Sequence, residues 1–156
     1  MAAPAELRAY YDSHYTHGMY KAFTDASDMK AMTACQRLRE IAHHVPLSGH
    51  WLDVGSADGT FVGEALRRGI EAEGIELSAV AARQAQVAGL PVRQGMLEDI
   101  SCASRFDCIT AFDVLEHVLD PGEFLRGMSG RLHIGGHAVL TLPNVSSVYS
   151  RLMGAR

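Results

Sequence analysis

Apolar positions along the chain follow two periods. Met29, Met32, Cys35, Leu38, Ile41 and Val45 recur every three or four residues, which predicts one long helix capped by Asp28 and ended by Pro46 and the Ser48-Gly49 turn. Beyond it the pattern shortens into apolar runs at about 50–54, 71–76, 91–95, 106–112 and 137–142, which read as strands. Helix-like stretches separate them, at about 60–68, from Ser78 to Gly89, and from Asp120 onward. The second of these has Ser78 as its cap and Gly89 with Pro91 as its terminator. The third starts with Asp120 at the cap, Pro121 in the first turn and Glu123 completing a capping box, and Gly135-Gly136 is expected to turn it into the last strand. Strand and helix in alternation predict an α/β fold, a parallel sheet with helices on both faces.

The first strand runs into WLDVGSADG, residues 51–59, where Gly55, Ala57 and Gly59 alternate with other residues behind Asp53. Small residues let a backbone come close to a ligand, and the helix that follows points unpaired N–H groups toward it. Glu76 ends the next strand, 23 positions after Asp53. An acidic residue at about that distance is the usual partner of a ribose diol in nucleotide-binding α/β units. The dinucleotide fingerprint G-x-G-x-x-G needs a two-residue last gap, and here the gap is one, so a nicotinamide-dependent enzyme is the weaker reading. A carboxylate at the strand end also repels pyrophosphate and attracts an ammonium or sulfonium.

Asp53-x-Gly55-x-Ala57-x-Gly59 resembles motif I of the class I S-adenosylmethionine (SAM) methyltransferases, with Ala57 in place of the usual middle glycine. FDCITAFDVLEHV at 106–118, followed by Asp120-Pro121, resembles the segment after strand 4 in the small-molecule group that includes the ubiquinone-biosynthesis O-methyltransferases. RLHIGGHAVLTLPN at 131–144 is similar to that group's L-x-P-G-G region, with Ile134 where proline is usual. These segments span residues 50–144 in the family's order. The resemblance implies a Rossmann-like doubly wound sheet of five parallel strands in the order 3-2-1-4-5, with SAM at the strand 1/strand 4 switch point.

Composition narrows the partners. A chain of 156 residues makes one domain able to bury roughly 70% of its unfolded surface. Its division is expected to be a helical leader over 1–48, a cofactor-binding core over 49–144 and a short C-terminal helix over 145–156. Net charge −4 offers no footprint for nucleic acid, and the one basic doublet, Arg67-Arg68, reads as a solvated helix end. Cys35, Cys102 and Cys108 form no CxxC pair and have no histidine at zinc spacing, so no metal site is expected. No run approaches 18 apolar residues and no signal-like start is present, which makes a cytoplasmic location the default and a membrane partner unexpected.

The resemblance also implies roles for residues. Asp53 and the backbone of Gly55, Ser56, Ala57 and Gly59 hold the methionine part of SAM; Glu76, followed by Leu77, accepts the ribose hydroxyls. Leu97 packs on adenine while Met96 or Leu97 offers it an N–H, and Ala111 and Phe112 present backbone to the ammonium. Asp113 either faces the ligand or caps its turn. His117 is the candidate base if the acceptor is a hydroxyl, and otherwise an anchor for its loop; the remaining core histidines, His50, His133 and His137, fall at the far edge of the sheet. Tyr10, Tyr11, Tyr15 and Tyr20, with His14 and His17, either cover an aromatic or sugar-like acceptor or pack on the domain. The family fold usually continues with a helix and two more strands. Their apparent absence suggests an open strand 5 edge, a homodimer or partner chain there, or a SAM-binding subunit without turnover.

Overall fold

The computed structural model describes residues 27–143 and, in the leader, residues 9, 10, 12 and 13. Tyr11, Tyr15, Tyr20, His14, His17 and the expected helix over 145–156 lie outside the described residues. In chain order the elements are α1 (Ser27–Ile41), β1 (His50–Val54), α2 (Thr60–Arg67), β2 (Glu71–Glu76), α3 (Ala79–Val87), β3 (Val92–Gln94), β4 (Phe106–Phe112), α4 (Pro121–Ser129) and β5 (Leu132–Thr141). Single 3₁₀ turns at Leu97–Asp99 and Leu115–His117, not foreseen from the sequence, follow β3 and β4. The sheet order is β3-β2-β1-β4-β5, all pairs parallel, as the resemblance implied.

Alternating side chains of the central strands feed two cores. On one face Trp51 and Cys108 pack with Leu38 and Ile41 of α1, Val62 and Ala65 of α2, and Ala82 and Ala85 of α3. On the other, Leu52, Val54 and Ile109 meet Leu97, Phe124 and Met128, which seats α4. Cys108 is wholly buried in β4, and burial pushes its thiol up to about 12, so it behaves as a small core residue.

Three boundaries differ from expectation. Helix α1 begins at Ser27, so Asp28 lies in its first turn, where its charge favours the helix dipole, rather than at the cap. Helix α4 stops at Ser129, and β5 already begins at Leu132 rather than at about 137. The reason is a bulge: Phe106 pairs Leu132 and Cys108 pairs His137, so residues 133–136 bow out of the ladder. Gly135 sits at φ +83°, and a side chain on Gly136 would lie 3.0–3.1 Å from the carbonyl oxygens of His133, Phe106 and Asp107. The glycine pair therefore kinks a strand rather than joining helix to strand. Ile134, at the tip of the bulge, is fully exposed. No residue of β5 is buried, and among the described residues it pairs only with β4.

Candidate functional site

At the carboxyl ends of β1, β2 and β4 lies a cavity of about 800 Å³, roofed on one side by α1. This is where the strand order reverses, the place where open α/β sheets bind ligands. The turn after β1 forms its floor. Gly55, Ala57 and Gly59 all take left-handed φ angles, +74°, +50° and +76°. The Gly55 and Ser56 N–H groups both donate to Ile75 O, at 2.8 and 3.2 Å, which ties the turn to β2. A Cβ on Gly55 would sit 2.5 Å from Val114 Cγ2, because the loop after β4 crosses directly over it.

Gly59 has another duty. Its missing side chain would meet Leu90, Ala85 and Val92 at 3.0–3.1 Å, and it does not line the cavity. Its smallness lets α2 start close against α3 and β3, a packing duty away from the cavity wall.

Ala57 is the one motif residue that carries a side chain at a left-handed φ, a conformation costing roughly 1–2 kcal/mol outside glycine. Ala57→Gly should therefore be tolerated: the relieved strain offsets glycine's entropy cost, and melting temperature should stay within a few degrees of the parent in a thermal melt. A loss of ten degrees or more would show that the Ala57 methyl packs productively.

Glu76 is 6% exposed and accepts two backbone hydrogen bonds, from Ala57 N at 2.8 Å and Ser78 N at 2.7 Å. Burial raises its pKa above the ordinary value, against the pull of the Ser78, Ala57 and Leu77 N–H groups. Asp53 is 5% exposed and accepts from Thr110 Oγ1 at 2.6 Å. Burial pushes its carboxyl up to about 7, opposed first by the Thr110 hydroxyl and then by the Arg37 charge. Among the described residues no lysine or arginine forms an ion pair with either carboxylate.

The other walls come from loops and from α1. Leu77, Met96, Leu97, Phe112, Asp113 and His117 all line the cavity. Asp113 holds φ +56°; its N–H donates to Thr141 Oγ1 at 3.0 Å and its Oδ1 accepts from the same hydroxyl at 2.9 Å. It thus faces the cavity and anchors its turn as well. Ala111 is fully buried in the core and does not line the cavity. The Met96 N–H is donated to Asp99 Oδ2 at 2.8 Å. His117 stands exposed at the rim, on the 3₁₀ turn after β4, and Glu116 beside it is exposed off the cavity wall.

Sequence reasoning missed the contribution of α1. Lys30, Thr33, Ala34 and Arg37 line the cavity. Lys30 pairs with Asp58 in the turn after β1. Arg37 pairs with Asp113 at 2.9 Å and stacks 4.2 Å above the Phe112 ring. The signal was present as a second stripe at i, i+3, i+4 and i+7, adjacent to the apolar one, but long cationic side chains on a helix also read as a solvated face.

Two buried carboxylates face one cavity whose cations, Lys30 and Arg37, are paired with Asp58 and Asp113 instead, and such carboxylates suit a ligand that brings hydroxyls and positive charge. Glu76 has lone pairs left after its two N–H partners, as a ribose diol would require.

The family model described as "Methyltransferase domain" matches residues 27–155. A ubiquinone biosynthesis O-methyltransferase of Albidiferax ferrireducens is 30% identical over 93% of this chain and 60% of its own length, and one of Alkalilimnicola ehrlichii is 32% identical over 60% of this chain and 41% of its own. The chain spans about half the length of the curated relatives it matches. Among solved structures, a SAM-dependent methyltransferase from Thermotoga maritima, described as a possible histamine N-methyltransferase, superposes with a TM-score of 0.68 at 20% identity, covering 93% of this chain and 67% of that one.

Proposed function

We propose that this chain, which belongs to the methyltransferase-domain family, binds S-adenosylmethionine in the cavity described above and directs its methyl group to a hydroxyl oxygen of a small molecule. The observation that carries this reading is Glu76, buried at the end of β2 and lining the same cavity as the left-handed turn after β1. In it Glu76 takes the ribose diol, Asp53 and the 55–57 backbone take the methionine end, and Phe112 and Asp113 offer backbone to the ammonium. Leu97 packs on adenine; with the Met96 N–H already given to Asp99, Leu97 supplies the N–H donor.

The cofactor brings a methyl group already activated on a sulfonium. The chain's task is then placement, worth up to ~7–11 kcal/mol when reacting atoms are held in line. The cavity lies toward the upper end of the range of small-molecule sites, roughly 300–1,000 Å³, which leaves room for an acceptor beside the cofactor. In this reading His117, which lines the cavity at its rim, takes the acceptor's proton where a hydroxyl must lose one. The O-methyltransferase names of the curated relatives favour oxygen as the accepting atom.

Separate calorimetric titrations with SAM and NAD test the cofactor reading. SAM should bind with a single site and NAD should not; NAD binding without SAM binding would overturn the proposal. A cytoplasmic location goes with this reading, and no helix among the described residues is long and apolar enough to cross a membrane.

We also propose that a second copy or partner chain lies along β5, a reading supported by its partial exposure and its pairing with β4 alone among the described residues. Light scattering at several concentrations should show residues 1–156 self-associating. A strictly monomeric, thermally stable species at all of them would remove that expectation.

A further inference from the structure

Residue 110 occupies the middle of β4, between Ile109 and Ala111, and is wholly buried. Interior positions of a parallel strand are usually aliphatic. A hydroxyl there must find a partner, and the Thr110 proton goes to Asp53 Oδ1 at 2.6 Å; the second acceptor in reach, Leu52 O, is at 3.5 Å. Thr110 and Asp53 are also direct partners in the β4–β1 register, so the backbone holds the pair together. Thr110 itself does not line the cavity, whereas Asp53 does.

We infer that Thr110 is a positioning residue for the cofactor's amino-acid end: its hydroxyl holds Asp53 in the orientation and the ionised state that ligand binding requires. This rests on the functional reading above. The hydroxyl donates only one proton, and a hydrogen bond donated to a carboxylate favours the charged form. The other groups acting on Asp53 are few. Arg37, from α1, favours ionisation and Glu76, from β2, opposes it, while the Cys108 thiol of β4 is neutral at any ordinary pH. With the Thr110 bond and the Arg37 charge already opposing burial, the Asp53 carboxyl stands at about 7, so loss of that bond moves it toward the protonated form under neutral conditions.

The test is a set of pH profiles of S-adenosylhomocysteine affinity, by calorimetry, for the wild-type chain, Thr110→Val and Thr110→Ser. The ligand's own amine titrates alike in all three, so differences belong to the protein. Wild-type affinity should fall as pH drops through about 7. Thr110→Val keeps the shape and removes the donor, and should move that midpoint upward by about one to two pH units. Binding should then be about tenfold weaker at pH 7 and nearly equal at pH 9, with Thr110→Ser restoring the wild-type profile. Thr110→Ala carries the same test should the valine variant fail to fold.

Carboxyl NMR of the ligand-free chain gives an independent reading, with the Asp53 midpoint higher in the valine variant than in wild type. Superimposable profiles would overturn the role of Thr110 while leaving cofactor binding intact, and a loss equal at every pH would overturn its control of the Asp53 charge. A wild-type chain that binds no S-adenosylhomocysteine at any pH would overturn the functional reading and this role with it.

Discussion

Glu76→Ala should weaken binding of SAM and S-adenosylhomocysteine at least tenfold and lower the melting temperature as well. The binding loss follows from two charge-assisted hydrogen bonds to the ribose, each worth roughly 1.5–3 kcal/mol. The stability loss follows from the partners that the carboxylate holds in the folded chain. Without it, the Ala57 and Ser78 N–H groups, donated to Glu76 at 2.8 and 2.7 Å, lose their acceptor. An orphaned buried donor costs about 1–3 kcal/mol, and relief of the buried charge returns part of that. Glu76→Gln separates the two effects. The amide keeps one acceptor oxygen and the side-chain volume, so it should melt closer to the parent while still binding weakly. Calorimetric titration paired with thermal melts of both variants makes the measurement, and unchanged affinity in either folded variant would remove Glu76 from the site.

Asp53→Asn should do the opposite to stability. A carboxyl with an ordinary value of 3.8 that stands at about 7 in the folded chain binds its proton more tightly folded than unfolded. Its contribution to stability is therefore fully present below pH 4 and is lost as pH rises toward 7 and beyond. Above pH 7 the ionised buried carboxylate costs folding on the order of 4 kcal/mol. Asparagine has no proton to lose, so the variant should be more stable than the parent by a few kcal/mol at pH 8 and should show no such gain at pH 4. Cofactor affinity should fall at pH 8, because the neutral amide no longer draws the ammonium. Urea denaturation at the two pH values, with titration of SAM at pH 8, checks both halves. An equal stability difference at pH 4 and pH 8 would mean that Asp53 titrates normally. A buried, strained charge kept at the cost of stability is what a binding site requires and a core avoids.

The local signals in this chain were strong where geometry repeats over a few residues. Strands β1 and β4 could be placed from apolar runs ending in polar ones, and α3 and α4 from Ser78 and Asp120, whose side chains accept from Ala81 N and Glu123 N. The turn over 55–59 and Glu76 were legible because a left-handed turn demands small residues and a strand end demands a reason for a carboxylate. The same logic misread Gly135-Gly136: glycine marks a tight backbone, and nothing local distinguishes a turn between elements from a bulge within one.

What the sequence determined by itself was the alternation of elements, hence a parallel sheet, and the two acidic groups at its working edge. Tertiary structure decided which residues share that edge. Gly59 is packed against Leu90, Ala85 and Val92, and Ala111 lies in the core, so neither lines the cavity. Lys30 and Arg37 joined the site only because α1 packs across the strand ends and pairs them with Asp58 and Asp113, 28 and 76 positions away. The Thr110–Asp53 bond likewise spans 57 positions and exists because β4 lies beside β1. Periodicity sees neighbours three or four residues apart; contacts, burial and the charge states that burial imposes arise only when distant segments are brought together.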